Sequence, residues 1–306
     1  MKILITGSSG FIGFALKRLL VEKGIEIVTY DIKENSLDDV RDISALQAKI
    51  IGVDGIVHLA AVSRVKIAQE NPLECINTNI GGLTNVLEST RELIFENGHP
   101  WVIFGSSREV YGEPMNLPVV ETSNRKAINV YGVSKLSGEE LCKVYSDNYG
   151  LKIRVLRFSN VYTGANDHLD RVIPKFILHA LNKEDLVING SGEELFDFTY
   201  ITDTIQGIWG CIQEIEGSLL LFDDFNISTG VPLSLRELAE IIIENTNSSS
   251  RVKYTQSRSY DVNKFYADPG KARKILGFSP KITIKKGIDL AIQELKMLRS
   301  AKVLKS

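Results

Sequence analysis

The beginning of the chain constrains its fold most. There an apolar run, Lys2–Thr6, leads into Gly7-Ser-Ser-Gly10-Phe-Ile-Gly13 and then into a segment with Phe14, Leu16, Leu19 and Leu20 at helical spacing. Glycines spaced this way between a strand and a helix permit a tight turn. They also let an anion come close to the backbone N–H groups at the helix N-terminus. A second apolar strand, Glu26–Tyr30, is closed by Asp31. A carboxylate at that point accepts hydrogen bonds from ribose hydroxyls and repels a phosphate attached to them. Strand, turn, helix and acid together predict a dinucleotide site built by Gly7, Ser9, Gly10, Phe11, Ile12, Gly13 and Asp31, with NAD favoured over NADP. Asp42 and Ile43, in the next polar loop, are expected to flank the adenine.

Short apolar runs keep alternating with longer segments of helical period: Gly55–Leu59, Thr78–Glu92, Trp101–Phe104, Val130–Tyr149 and Ile153–Phe158. That alternation predicts βαβ units and a doubly wound parallel sheet. Beyond about Val161, Gly164, Gly190, Gly192 and Gly230 punctuate shorter elements, and Pro174, Pro232, Pro269 and Pro280 mark turns or helix starts. A smaller, loop-rich lobe is expected there, with Asn247–Ser250 as a surface loop and the Lys- and Ser-rich last residues frayed. At 306 residues and 43% hydrophobic content, the chain can fill one large core or two lobes sharing an interface.

Composition removes several functional classes. A formal net charge of -2 supplies no field to recruit a polyanion, so nucleic acid is not expected as a partner. The three cysteines, Cys75, Cys142 and Cys211, are far apart and lack metal-binding or redox spacing. Neither a disulfide framework nor a metal site is expected, and a reducing, cytoplasmic setting fits. The apolar run Ile3–Ile5 stops at Gly7, short of a signal-peptide core or a membrane span, so no membrane association is expected.

Tyr131-Gly-Val-Ser-Lys135 lies near the start of the helical segment Val130–Tyr149, so phenol and ammonium share one helix face. A nearby cation favours the phenolate and makes a weak acid a usable base. Ser106 and Ser107 follow the strand Trp101–Phe104 at the carboxyl edge, where open α/β sheets hold their ligands. If Ser107-Arg-Glu109 is extended, Ser107 and Glu109 project into the same cleft.

In order and spacing these segments resemble the extended short-chain dehydrogenase/reductase family, specifically its nucleotide-sugar epimerases and dehydratases, such as UDP-glucose 4-epimerase. His58-Leu-Ala-Ala61, Asn77–Gly82, Ser106–Gly112, Arg157-Phe-Ser-Asn-Val-Tyr162, Phe198–Asp203 and Tyr266-Ala-Asp268 extend the match along nearly the whole chain. The resemblance implies a Rossmann domain over residues 1–162 that binds NAD and a smaller C-terminal α/β substrate-binding lobe over 163–306. It also implies a return to the first domain at about 196–228. Leu59, Ala60, Ala61, Asn79 and Phe158 join the implied cofactor set, together with Tyr131 and Lys135. By the same resemblance Tyr131 exchanges the proton of a sugar hydroxyl and Ser107 hydrogen-bonds the reacting oxygen. Lys135 holds the nicotinamide ribose and lowers the Tyr131 pKa. A homodimer through Thr78–Glu92 and Tyr131–Tyr149 is implied as well.

Two positions depart from the family pattern. Ser159 stands where many relatives have an aromatic residue beside the nicotinamide, and Phe196 where an arginine usually helps hold the nucleotide diphosphate. A diphosphate needs cationic or N–H donors. Arg258 and Asn160, which match family positions, are the expected replacements, with Arg171 and His168 in a loop nearby. The leading expectation is an NAD-dependent nucleotide-sugar 4-epimerase acting on a UDP-sugar by transient C4 oxidation and hydride return. Family dehydratases and decarboxylases carry Glu before Val-Tyr-Gly, as this chain does at Glu109. A nucleotide-sugar 4,6-dehydratase or a nucleotide-hexuronate decarboxylase is therefore the alternative. The dehydratases precede that Glu with Asp, however, whereas this chain has Arg108, which either neutralises Glu109 or holds an acidic sugar. A non-catalytic dinucleotide sensor is the reading of another class, and the presence of Ser107, Tyr131 and Lys135 argues against it.

Overall fold

Apolar runs too short for helices pair side by side as strands: β1 (Lys2–Thr6), β2 (Glu26–Tyr30), β3 (Gly55–His58), β4 (Trp101–Ser107), β5 (Ile153–Phe158), β6 (Asn160–Tyr162), β7 (Leu186–Asn189), β8 (Leu195–Tyr200), β9 (Phe222–Ile227), β10 (Pro232–Ser234) and β11 (Val252–Thr255). The computed structural model describes residues 1–95 and 99–303. Residues 304–306, at the end expected to fray, lie outside them. The longer periodic segments become α1 (Phe11–Glu22), α2 (Ile43–Ile50), α3 (Val65–Glu70), α4 (Pro72–Ile76), α5 (Gly82–Phe95), α6 (Val130–Tyr149), α7 (Val172–Leu181), α8 (Ile201–Gly217), α9 (Leu235–Thr246), α10 (Gly270–Leu276) and α11 (Ile284–Val303).

Six strands form one parallel sheet in the order β2-β1-β3-β4-β5-β9. Because successive strand residues point to opposite faces, each face has its own core. Ile3, Ile5, Val57 and Ile103 pack with Leu16 and Leu20 of α1 and with Ile208 and Ile212 of α8. Leu4, Ile56, Val102 and Phe104 pack with Leu46 of α2, Leu83 and Leu87 of α5 and Cys142 of α6. The order reverses between β1 and β3, which opens a crevice at their carboxyl ends, the place where such sheets bind ligands.

The smaller sheets are β10-β8-β6 and the parallel pair β7 and β11. The chain rejoins the large sheet through α8 and β9, whereas β8, inside the expected return segment, stays in the small sheet. Before α5, Asn77–Gly81 winds as a π-helical turn rather than continuing the expected α-helix.

A buried ionic network fixes α6 against the sheet. Arg157 of β5 donates to both carboxylate oxygens of Glu139 on α6 at 2.8–3.1 Å, to Asp224 Oδ2 at 2.6 Å and to the Tyr111 hydroxyl at 2.9 Å. Ser106 Oγ also donates to Glu139, at 2.5 Å. Glu139 lies one helical turn beyond Lys135 and Ser106 adjoins Ser107, so this network sets the register in which helix and strand present their functional side chains.

Candidate active site

A cleft of about 960 Å³ follows the carboxyl ends of β1, β3, β4 and β5 and extends to the small lobe. Gly7, Gly10, Phe11, Ile12 and Gly13 line one end. Gly7 adopts φ +71°, a Cβ added there would fall 2.7 Å from Ala60 N, and one on Gly13 would fall 2.1 Å from Gly7 O. Only glycine fits either place without opening the turn. Helix α1 starts at Gly10 with no side-chain cap and no acidic residue in its first turn, so its N-terminal N–H groups and dipole are left to a ligand anion. Asp31 lines the cleft beside this turn. Its Oδ2 accepts from Ser9 N and its Oδ1 from Lys33 N, each at 2.9 Å. Each oxygen retains a lone pair for a ribose hydroxyl. Leu59, Ala60, Ala61 and Phe158 complete the wall, and together these residues fit a dinucleotide.

Four expected cofactor residues lie elsewhere. Ser9 turns its hydroxyl away to donate to Glu34 Oε1 at 2.6 Å. Asp42 caps α2, accepting from Ser44 N and Ala45 N, and Ile43 begins that helix. Capping draws both residues off the wall, which is formed there by Asp38, Asp39, Val40 and Arg41. Asn79 is buried behind the loop that follows β3. Its Oδ1 accepts from Val62 N at 2.8 Å and its Nδ2 donates to Ser134 Oγ at 2.9 Å, so it positions that loop without facing the cleft.

Asn129 starts the helix that carries the candidate base, its Oδ1 accepting from Gly132 N at 2.8 Å. Gly138 lets α6 settle onto β4 and Gly132 onto the turn that follows it, since a Cβ would fall 2.7 Å from Phe104 Cζ or Glu109 O respectively. Tyr131 and Lys135, one turn apart, thereby join Ser107 on the cleft wall. Burial pushes the Tyr131 phenol up to about 12, while a hydrogen bond with Ser107 and the charge of Arg171 pull the other way. Lys135 is pulled down to about 8 by burial. Its ammonium donates to Gly105 O at 2.7 Å and stands 6.0 Å from the Tyr131 ring centroid. On balance burial dominates, and the lowering by Lys135 expected from the sequence is not among the main contributions to the Tyr131 pKa here. The ammonium gives one donor to the strand carbonyl.

Ser107-Arg-Glu109 is not extended. Ser107 caps a short 3-10 turn, Arg108–Tyr111, and accepts from Glu109 N at 3.2 Å. Glu109 still lines the cleft, but both its oxygens are engaged: Oε1 with Arg108 Nη2 and Oε2 with Asn129 Nδ2, each at 2.8 Å. Arg108 thus neutralises Glu109. Asn129 Nδ2 also donates to Tyr260 O at 3.1 Å, so one amide caps the helix, holds Glu109 and reaches the small lobe.

The expected anion-binding residues Asn160, Arg171 and Arg258 all line the cleft, as does His168 of the same loop as Arg171. Arg258 pairs with Asp261 at 2.7 Å, and Arg171 pairs with Asp167 at 3.2 Å and stands 6.0 Å from the Phe11 ring centroid. Ser159 is turned to Thr199, 2.7 Å between hydroxyls. Arg64, which sequence reasoning missed, crosses from the loop after β3 to pair with Asp170 in the loop before α7. Asn129 was missed too, although an Asn directly before a helical segment is itself a capping signal. Among the described residues there is no cluster of His, Cys, Asp and Glu able to hold a metal ion, and no helix is long and apolar enough to cross a membrane.

A family model described as the NAD dependent epimerase/dehydratase family matches residues 3–227. A putative UDP-glucose 4-epimerase of Methanocaldococcus jannaschii is 32% identical over 311 residues, which cover 96% of this chain and 98% of that protein. The solved UDP-glucose 4-epimerase of Thermotoga maritima with UDP-glucose superposes with a TM-score of 0.89 at 27% identity, covering 98% of this chain and 100% of that one. The UDP-glucuronic acid 4-epimerase of Bacillus cereus, in complex with UDP-glucuronic acid and NAD, gives 0.86 at 26% identity, covering 97% and 100%.

Proposed function

The chain belongs to the NAD-dependent epimerase/dehydratase family, and from that premise we propose that it is a nucleotide-sugar 4-epimerase that uses NAD and a UDP-sugar. The observation that carries this reading is that Ser107, Tyr131 and Lys135 share a cleft with the glycine turn, while both oxygens of Glu109 are already held. NAD supplies a reversible hydride acceptor for the sugar carbon. Gly7, Gly10 and Gly13 with the α1 N-terminus hold its pyrophosphate, and Asp31 accepts from the adenosine ribose and opposes a 2′-phosphate. Tyr131 Oη takes the C4 hydroxyl proton and later returns it to the same oxygen, which Ser107 keeps hydrogen-bonded. Lys135, fixed by Gly105 O, holds the nicotinamide ribose.

Product mass separates this reaction from the lyases, because epimerisation preserves it whereas dehydration and decarboxylation remove water or carbon dioxide. Incubation with a panel of UDP-, dTDP-, GDP- and CDP-sugars in deuterium oxide is expected to give an isomer of a UDP-sugar with no label at C5. Glu109→Gln is expected to leave C4 epimerisation largely intact. Loss of mass, deuterium at C5, or an intermediate stalled after C4 oxidation in the Glu109 variant would overturn the reading in favour of a lyase. Stoichiometric NAD without turnover on any sugar would favour a sensor.

The protein is further read as a cytoplasmic homodimer. Cys75, Cys142 and Cys211 are buried free thiols, consistent with a reducing setting. Val133 and Val144, three turns apart on one stripe of α6, are exposed by 49% and 48%. In this reading a second copy covers that stripe, the dimer being built from the Thr78–Glu92 and Tyr131–Tyr149 segments of each subunit. Light scattering is expected to give twice the 34.0 kDa chain mass, and a monomer at micromolar concentration counts against it.

A further inference from the structure

Five arginines line the cleft: Arg41, Arg64, Arg108, Arg171 and Arg258. Arg41 pairs with Asp39 and Glu74, Arg64 with Asp170, Arg171 with Asp167 and Arg258 with Asp261. Arg108 differs from these four. Its side chain is the least exposed of the five, at 12%, and its buried Nη1 has no hydrogen-bond partner among the described residues.

The rest of the Arg108 guanidinium is fixed. Nε donates to Asn160 Oδ1 at 3.2 Å and Nη2 pairs with Glu109 Oε1 at 2.8 Å. The charged group lies 5.0 Å from the Phe196 ring centroid and 5.7 Å from that of Phe265. Aromatic contacts and two edge contacts therefore set both position and orientation, so little side-chain freedom is left to lose on binding. A guanidinium has five N–H donors, and a buried donor without an acceptor is destabilising. Arg108, Asn160 and Phe196 all line the cleft, so a ligand bound there is the source outside the protein that could bring an acceptor to Nη1. Phe196 contributes no donor of its own but presents a ring to the guanidinium, so the two residues together offer a cation at this wall.

We propose that Arg108 recognises an oxyanion of the substrate, donating to it through Nη1 while Glu109 and Asn160 hold the fork in place. This rests on the nucleotide-sugar reading above and adds a specificity-determining residue to it. Two groups of such a substrate have the required chemistry: a carboxylate at C5 of the sugar and the diphosphate. Both present anionic oxygens able to accept from a guanidinium N–H, the carboxylate in a plane and the diphosphate at its tetrahedral phosphoryl groups.

The test is calorimetric titration of NAD-loaded protein with UDP, UDP-glucose and UDP-glucuronate. Arg108→Met keeps an apolar stem against Phe196 and removes every donor. It also leaves Glu109 buried without its ion pair, so Arg108→Met/Glu109→Gln, which removes that charge, accompanies it, as does Arg108→Lys, which keeps a charge but not the fork. Both methionine variants are expected to weaken binding of the recognised ligands by about 10- to 100-fold, the scale of a hydrogen bond to a charged group, with the lysine variant in between. Weakening confined to UDP-glucuronate identifies the carboxylate, and an equal factor for all three ligands identifies the diphosphate. Unchanged affinity for all three, or weakening of both sugars with UDP unaffected, overturns the inference alone. Wild-type protein that binds none of the three overturns the UDP-sugar reading and this inference with it.

Discussion

Replacing Tyr131 with phenylalanine is expected to lower kcat by about 10²–10⁴-fold, the usual contribution of a positioned acid/base. The ring packs against Ala68, Cys75, Val62 and Val65 and stays in place in the variant. Only the hydroxyl and its interaction with Ser107 are lost, which amounts to about 1 kcal/mol of stability. The melting temperature and NAD affinity are therefore expected to change little while turnover collapses. Turnover close to that of the wild type, measured with the same nucleotide sugar, would show that another group carries the proton.

Arg157→Met is expected to destabilise the fold by about 3–5 kcal/mol, because it leaves the buried carboxylate of Glu139 without its main partner. Glu139 also meets Arg125 at 2.7 Å, but that arginine is about one-third exposed and cannot replace the fully buried contacts. Urea unfolding measures the loss directly, and a change below about 1 kcal/mol would mean that the pair behaves like a surface salt bridge. The double variant Arg157→Met/Glu139→Leu removes both charges and is expected to recover much of the stability. The network joins α6 to β4 and β5, so the single variant is also expected to lose activity at temperatures where it remains folded.

The first cofactor elements were legible because their requirements are local. A positive φ at Gly7 and a carbonyl in the place of a Cβ at Gly13 demand glycine whatever surrounds them. Helix α6 was legible from its helical period over Val130–Tyr149, and the structure adds the cap at Asn129 and the stop at Gly150, φ +72°. Five of the six strands of the large sheet were legible from apolar runs, although β4 reaches Ser107 rather than ending at Phe104, while β9 was expected only as part of a returning segment. Asp42 shows the limit of such reasoning. An aspartate next to a cleft residue and one before a helix has two possible uses, and capping took it.

Charged and polar side chains at the site depended on partners far along the chain. Sequence left open whether Arg108 neutralises Glu109 or meets a ligand, and folding placed Asn160, Phe196 and Phe265 around it. Likewise Lys135 was expected to act on Tyr131, and folding also set the carbonyl of Gly105 within its reach, where it accepts one of the three ammonium N–H donors. By itself the sequence determined the parallel sheet, the glycine turn, Asp31 and the pairing of Tyr131 with Lys135 on one helix face, because backbone geometry and helical spacing act over a few residues. Only the tertiary structure decided that Glu109 is held from both sides, that Arg64 reaches Asp170, and that Arg108 keeps an unpaired N–H group at the cleft wall. Hydrogen bonds and ion pairs are short-ranged, and which groups come within that range is settled when the lobes pack.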